Sequence, residues 1–198
     1  KDRLLQRTLL GYLARSIAAL PVDPLTIYEI VVAGNPTMRD LLFGVDVQSL
    51  GLLPYRSLTE AALQAGRTTT TSLATTAKKL RLPVHPRARV CSLPLVGSHV
   101  GADAAACLIA TGLAESTELC ALLDIGTNTE VILGNRARLL AASCPAGPAF
   151  EGGGTSCGMP ALDGAVERVR LRDDGTVEVK TINDAAPLGI CGSGLVDL

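Results

Sequence analysis

Residues 120–124, Cys-Ala-Leu-Leu-Asp, run almost unbroken through apolar side chains to a terminal carboxylate, and the chain then turns through Ile125-Gly126-Thr127-Asn128. A short apolar run that stops at a glycine turn predicts a buried strand. Two further strands are predicted at 130–133 and 137–143, separated by Gly134-Asn135, which makes the segment a β-meander with its polar residues in the first turn. Asp124 closes the first strand and presents its carboxylate at the strand end. Gly126 has no Cβ, so a ligand can approach the backbone there. Successive N–H groups in such a turn form an anion-binding nest, to which Thr127 and Asn128 add side-chain donors. A carboxylate beside a phosphate requires a cation between them, so the arrangement predicts Mg²⁺ held by Asp124, largely through water. The same residues also fit an ordinary Asx-type turn in a hairpin.

The rest of the chain alternates helix and strand. Leu5, Leu9, Leu13, Ile17 and Leu20 recur at helical spacing over residues 1–20, and Pro21 ends the run. A β-branched strand is predicted at 26–33. It leads into Gly34-Asn35-Pro36-Thr37, where Pro36 suits the first turn of a helix that carries Met38 to Phe43, with Met38 and Phe43 in the core. Residues 46–86 read as an insertion or loop excursion with a helix at 59–65 and an exposed threonine-rich part; a small cap lobe is the alternative. A strand at 88–95 and an alanine-rich helix at 101–113 follow, with Asp103 either facing a ligand or capping the turn. Beyond the meander lie a glycine-rich stretch at 146–158, a hairpin around Asp173-Asp174-Gly175, and Gly189-Ile190-Cys191-Gly192-Ser193-Gly194-Leu195, a helix start. This is α/β grammar.

Composition narrows the function. Basic and acidic residues number 18 and 19, whereas nucleic-acid surfaces need a clustered positive excess. Aromatic residues make up 3% and Trp is absent, which leaves few platforms for stacking bases or sugars. The six cysteines are dispersed, with no C-x-x-C, and only two histidines accompany them. An iron–sulfur or structural zinc site within this segment is therefore not expected, and the cysteines read as small buried thiols in a reducing compartment. No apolar run reaches the roughly 18–20 residues of a spanning helix, and charges among the first leucines do not fit a signal peptide. These features predict a soluble, cytoplasmic chain that engages neither nucleic acid nor membrane.

The motif DIGTNTEVILGN at 124–135 resembles the second phosphate motif of the sugar-kinase, heat-shock-chaperone and actin superfamily, the ASKHA fold. EIVVAGNPTMRDLLFG at 29–44 resembles the element before it, and VGSHVGADAAACLIATGL at 96–113 the hinge helix between the two lobes. Within that superfamily, residues 32–44, 101–112, the block LLDIGTNTEVILGN…AASCPAGPAFEGGGTSCGM and GICGSGLVDL together are similar to the reductive activators of corrinoid proteins. That family ordinarily has glycine where this chain has Thr129.

The resemblance implies an incomplete actin-like ATPase (ribonuclease H-like) α/β fold in parts of two lobes, with residues 1–113 belonging to the first and 114–198 opening the second. It implies ATP and Mg²⁺ as ligands, an electron from a two-iron, two-sulfur ferredoxin domain outside this chain, and reduction of a corrinoid protein from Co(II) to Co(I). The expected site residues are Asp124 and Glu130 for catalysis, Asp124 for the metal, and Gly126, Thr127, Asn128, Asp103, Gly152 and Gly153 for the nucleotide; Glu151 stands near them. The first phosphate hairpin and the adenosine motif are expected before Lys1 and after Leu198, so the chain reads as a fragment. Two other readings stay open: an interaction module that binds a partner, or another copy of itself, without ATP turnover, and an ASKHA-type kinase or dehydratase activator, which would need features not found here.

Overall fold

The computed structural model describes residues 3–97 and 99–198. It divides into two compact units, Lys1–Leu122 with Ile132–Ala142, and Leu123–Val131 with Ser143–Leu198. No helix among the described residues is long and apolar enough to cross a membrane.

The first unit opens with helix α1 (Leu4–Ala18). Its Leu10, Leu13 and Ile17 pack on the core, while Leu5 and Leu20 are exposed. A strict four-residue spacing drifts about 40° per step on a helix of 3.6 residues per turn, so the predicted stripe leaves the buried face at Leu5, whereas Leu20 lies beyond the helix end at Ala18. Strand β1 (Glu29–Val32) follows. Helix α2 (Pro36–Phe43) starts where Asn35 Oδ1 accepts the Met38 N–H at 2.9 Å, with Pro36 in the first turn, and ends at Gly44, φ +73°. That φ is a glycine conformation. Phe43 packs on the core as expected, but Met38 is exposed. The buried residues of α2 include Arg39 and Asp40, both fully covered.

The threonine-rich part of residues 46–86 is not merely an exposed loop. After α3 (Leu58–Gln64), whose Ser57 and Glu60 form a capping box, strand β2 (Ala74–Thr76) and helix α4 (Ala77–Leu80) lead to β3 (Arg89–Ser92). Central β3 pairs parallel with β1 and antiparallel with β2. Ala77, Leu80, Leu82, Val84, Ala88 and Val90 form the core cluster of this unit. Thr71, in the polar run, is buried and its Oγ1 accepts the Leu95 N–H at 2.8 Å. A low-complexity run of threonines suits a strand because the β-branched side chain packs on a pleated surface.

Helix α5 (Ala102–Thr111) ends at Gly112, φ +65°. At Gly101 a Cβ would lie 2.8 Å from both Asn35 Cα and Pro36 Cδ, so the small residues here do permit close approach. The meander comprises β4 (Cys120–Ile125), β5 (Asn128–Asn135) and β6 (Arg138–Pro145), in that order. Each connection is two residues, a length only antiparallel neighbours can use. Strand β5 begins two residues earlier than the predicted 130, directly after the turn. Ile132, fully buried, joins Val100 and Ala104, with Leu108, Leu122 and Leu139 packed around them.

In the second unit, β7 (Ala165–Leu171) pairs antiparallel with β8 (Val177–Thr181) and parallel with β9 (Gly189–Ile190). The predicted hairpin forms around Gly175, φ +81°, where Asp174 Oδ1 accepts the N–H and hydroxyl of Thr176. Helix α6 (Gly192–Asp197) starts inside the predicted glycine-rich segment.

Candidate functional site

Three segments meet in the second unit around one cleft of about 460 Å³. Ile125 and Gly126 come from the meander turn, Phe150 and Glu151 from the glycine-rich stretch, and Gly192 and Ser193 from the start of α6. All three stretches were singled out in the sequence by their glycines, and the close approach explains why glycine is needed. A Cβ at Gly192 would run into the Phe150 carbonyl, and one at Gly152 would lie 2.5 Å from the Met159 nitrogen. Gly152 also has φ +87°, which L side chains rarely adopt.

The turn itself is held by its neighbours. The Thr127 carbonyl accepts the N–H groups of Ala146 and Gly147 at 3.0 and 2.9 Å. On the other side, the Thr127 N–H at 3.0 Å and its hydroxyl at 2.7 Å both donate to Glu151 Oε1. The Thr127 hydroxyl, with its N–H, draws the Glu151 carboxyl below the ordinary carboxylate range against the opposing effect of desolvation. Thus two of the donors predicted for a phosphate, both from Thr127, converge on a single anionic oxygen, while Asn128 does not join them. The turn therefore holds one carboxylate oxygen through two donors of a single residue.

The other expected residues are placed as follows. Asp124 is half-buried at the end of β4 and, by strand alternation, shares the face of Leu122 rather than that of cleft-lining Ile125. Asn128 is exposed at the start of β5. Glu130 is buried and accepts the Ser143 hydroxyl at 2.9 Å. Gly153 packs against Pro148, where a Cβ would lie 2.7 Å from Cγ. Asp103 belongs to the first unit, where its Oδ1 accepts the Ala104 N–H at 2.9 Å in the first turn of α5. Thr129 is buried in β5, and its carbonyl oxygen lies 3.5 Å from Cys144 Sγ. A β-branched residue suits that strand position. Among the described residues no group of three or more His, Cys, Asp and Glu is arranged to hold a metal ion, so a divalent ion here would rest on few protein oxygens and on water.

Comparison with known proteins decides the family. Residues 2–116 match the RACo middle region, and residues 118–198 match the C-terminal domain of RACo, the ASKHA domain. The chain belongs to the RACo family. Among RACo-like relatives, the corrinoid activation enzyme RamQ of Eubacterium limosum is 35% identical over 176 residues, covering 89% of this chain and 28% of RamQ. The reductase of the Co(II) methylated amine-specific corrinoid protein from Methanosarcina barkeri is 41% identical over 73 residues, 37% of this chain and 14% of that protein. A solved structure of a reductive activator for a corrinoid, iron-sulfur protein superposes with a TM-score of 0.81 at 36% identity, covering 98% of this chain and 30% of that one. The mixed α/β architecture is thus that of the RACo activators, of which this chain spans less than a third.

Proposed function

We propose that this chain supplies the phosphate-holding wall of an ATP site in a reductive activator, where ATP drives reduction of a corrinoid protein from Co(II) to Co(I). The carrying observation is that both Thr127 donors converge on one carboxylate oxygen at the turn that resembles a phosphate motif. In this reading Gly126 lets a phosphate reach the backbone, and Thr127 and Asn128 donate to it. Asp124, whose side chain stands on the strand face away from Ile125, would bear on a Mg²⁺ ion only through water, and the ion when bound would offset phosphate charge. Glu130, Gly152 and Gly153 shape the turn from behind: Glu130 through Ser143, the glycines by close backbone packing. Asp103 supports the first turn of α5 in the other lobe. The electron comes from a two-iron, two-sulfur domain outside this chain, in a cytoplasmic protein whose partner is a corrinoid protein.

Catalysis in such a site is mainly positioning and electrostatic stabilisation of phosphoryl transfer. Asp124→Ala in the full-length protein is expected to lower ATP-dependent formation of Co(I), followed by its absorbance, by about 10²-fold or more, as when one preorganised electrostatic group is removed. Undiminished reduction would overturn the assignment.

A further inference from the structure

The Glu151 carboxylate does more than pin a loop. Its Oε1 takes the N–H and the hydroxyl of Thr127 together, and it lies 3.8 Å from where a Cβ would stand on Gly126. It therefore stands beside the Cβ-free face of the glycine, where the Asn128 carbonyl oxygen lies 3.4 Å from the same Cβ position, and takes both donors of the next residue. An incoming phosphate needs the same face and the same donors. Two anions cannot share one donor pair at hydrogen-bond distance, because like charges a few ångströms apart repel and each donor has one proton to give.

Glu151 is also placed to move. It is exposed, it ends a four-residue 3-10 turn (Pro148–Glu151), and the next residue is Gly152 at φ +87°. Among the described residues no cation forms an ion pair with it; the described pairs are Arg39–Asp40, Arg89–Glu29, Arg172–Glu178 and Lys180–Glu167. The partners that hold it in place are the donors it blocks.

From this geometry we infer that Glu151 is an internal competitor for the phosphate turn: it occupies the Thr127 donor pair until a polyphosphate displaces it. The inference rests on the phosphate reading of the turn. It adds that the closed turn is self-satisfied, that affinity is reduced by the fraction of molecules in which Glu151 holds Thr127, and that weakly charged oxyanions are rejected in favour of a polyphosphate.

The test is calorimetric binding of inorganic tripolyphosphate with Mg²⁺ to the full-length protein, wild type, Glu151→Gln and Glu151→Ala. Removing the competitor is expected to tighten binding by about fivefold or more in Glu151→Ala, the scale of a solvent-exposed charged hydrogen bond. Glu151→Gln should tighten it less, because its amide oxygen still accepts from Thr127 but without charge. Thermal melting of both variants checks that the fold persists; Glu151→Gln keeps the shape and the acceptor, so it serves if the alanine variant is unstable. Equal affinity in all three proteins overturns the competitor role and leaves the phosphate turn standing. Weaker binding in both variants also overturns it, marking Glu151 as a group that holds the cation with the phosphate. Absence of binding in all three overturns the phosphate reading and the inference with it.

Discussion

Arg39 and Asp40 lie side by side in α2 with both side chains fully buried and a 2.6 Å contact between Nη2 and Oδ1. Arg39 also donates to the Thr71 carbonyl at 2.9 Å and to Thr59 Oγ1 at 2.7 Å, while the Ser57 hydroxyl donates to Asp40 Oδ2 at 2.6 Å. The pair ties α2 to α3 and to the threonine run. Asp40→Ala leaves a guanidinium buried without its counter-charge and is expected to cost about 3–5 kcal/mol in denaturant unfolding, whereas replacing both residues by apolar ones of similar volume should cost far less. Nothing in the sequence announced this pair, because an Arg-Asp step on a short helix reads as surface and its partners stand 17–32 residues away. Glu151 gives a prediction of opposite visibility. Its carboxyl is held below the ordinary range in the folded protein, so the stabilising contact with Thr127 is complete above the ordinary carboxylate pKa and is lost as pH falls through the lower folded value. An NMR titration of the Glu151 carboxyl is expected to show a midpoint below that of a free glutamate side chain, and Thr127→Val should move it upward.

Strand β5 carries the meander, with Thr129, Glu130, Ile132 and Gly134 buried along it. Ile132, fully buried, faces Val100 and Ala104 in the first unit, and Gly134 passes so close to Arg138 that a Cβ would run into its carbonyl. Ile132→Ala is expected to cost about 2–5 kcal/mol by cavity formation, read from the shift in urea midpoint at constant m. The meander was legible because an apolar run, a glycine turn and a second run are local signals. Its longer β5 was not, since Asn128 and Thr129 look like turn residues and become strand only through pairing. The α1 stripe was half legible: Leu13 and Ile17 face the core, and the tertiary contact chose Leu10 over Leu5. The three glycine-rich segments were each visible, but their meeting around one cleft depends on long-range folding that spacing does not encode.

The chain passes from one unit to the other three times, after Leu122, Val131 and Ala142. Residues 118–198 match one family domain and 2–116 another, yet Leu122, Ile132 and Leu139 pack in the first unit. A shortened chain of residues 3–117 would therefore lack the side chains that cover Val100, Ala104 and Leu108. It is expected to bind a hydrophobic dye such as ANS and to melt without a sharp transition, unlike the whole chain. The α/β class and the corrinoid-activator family were legible from motifs, because each motif is contiguous. The contribution of residues 74–90 to the core was not, because a polar threonine run conceals a strand that exists only against β3. Finally, Cys144 and Cys157 are both exposed, whereas Cys191 is buried and Cys91, Cys107 and Cys120 are partly covered. The first two stand on either side of the Pro148–Glu151 turn, so the molecule carries native attachment points for a pair of spin labels. Their separation would serve as a ruler for the segment that bears Glu151, with no engineered residue near the cleft.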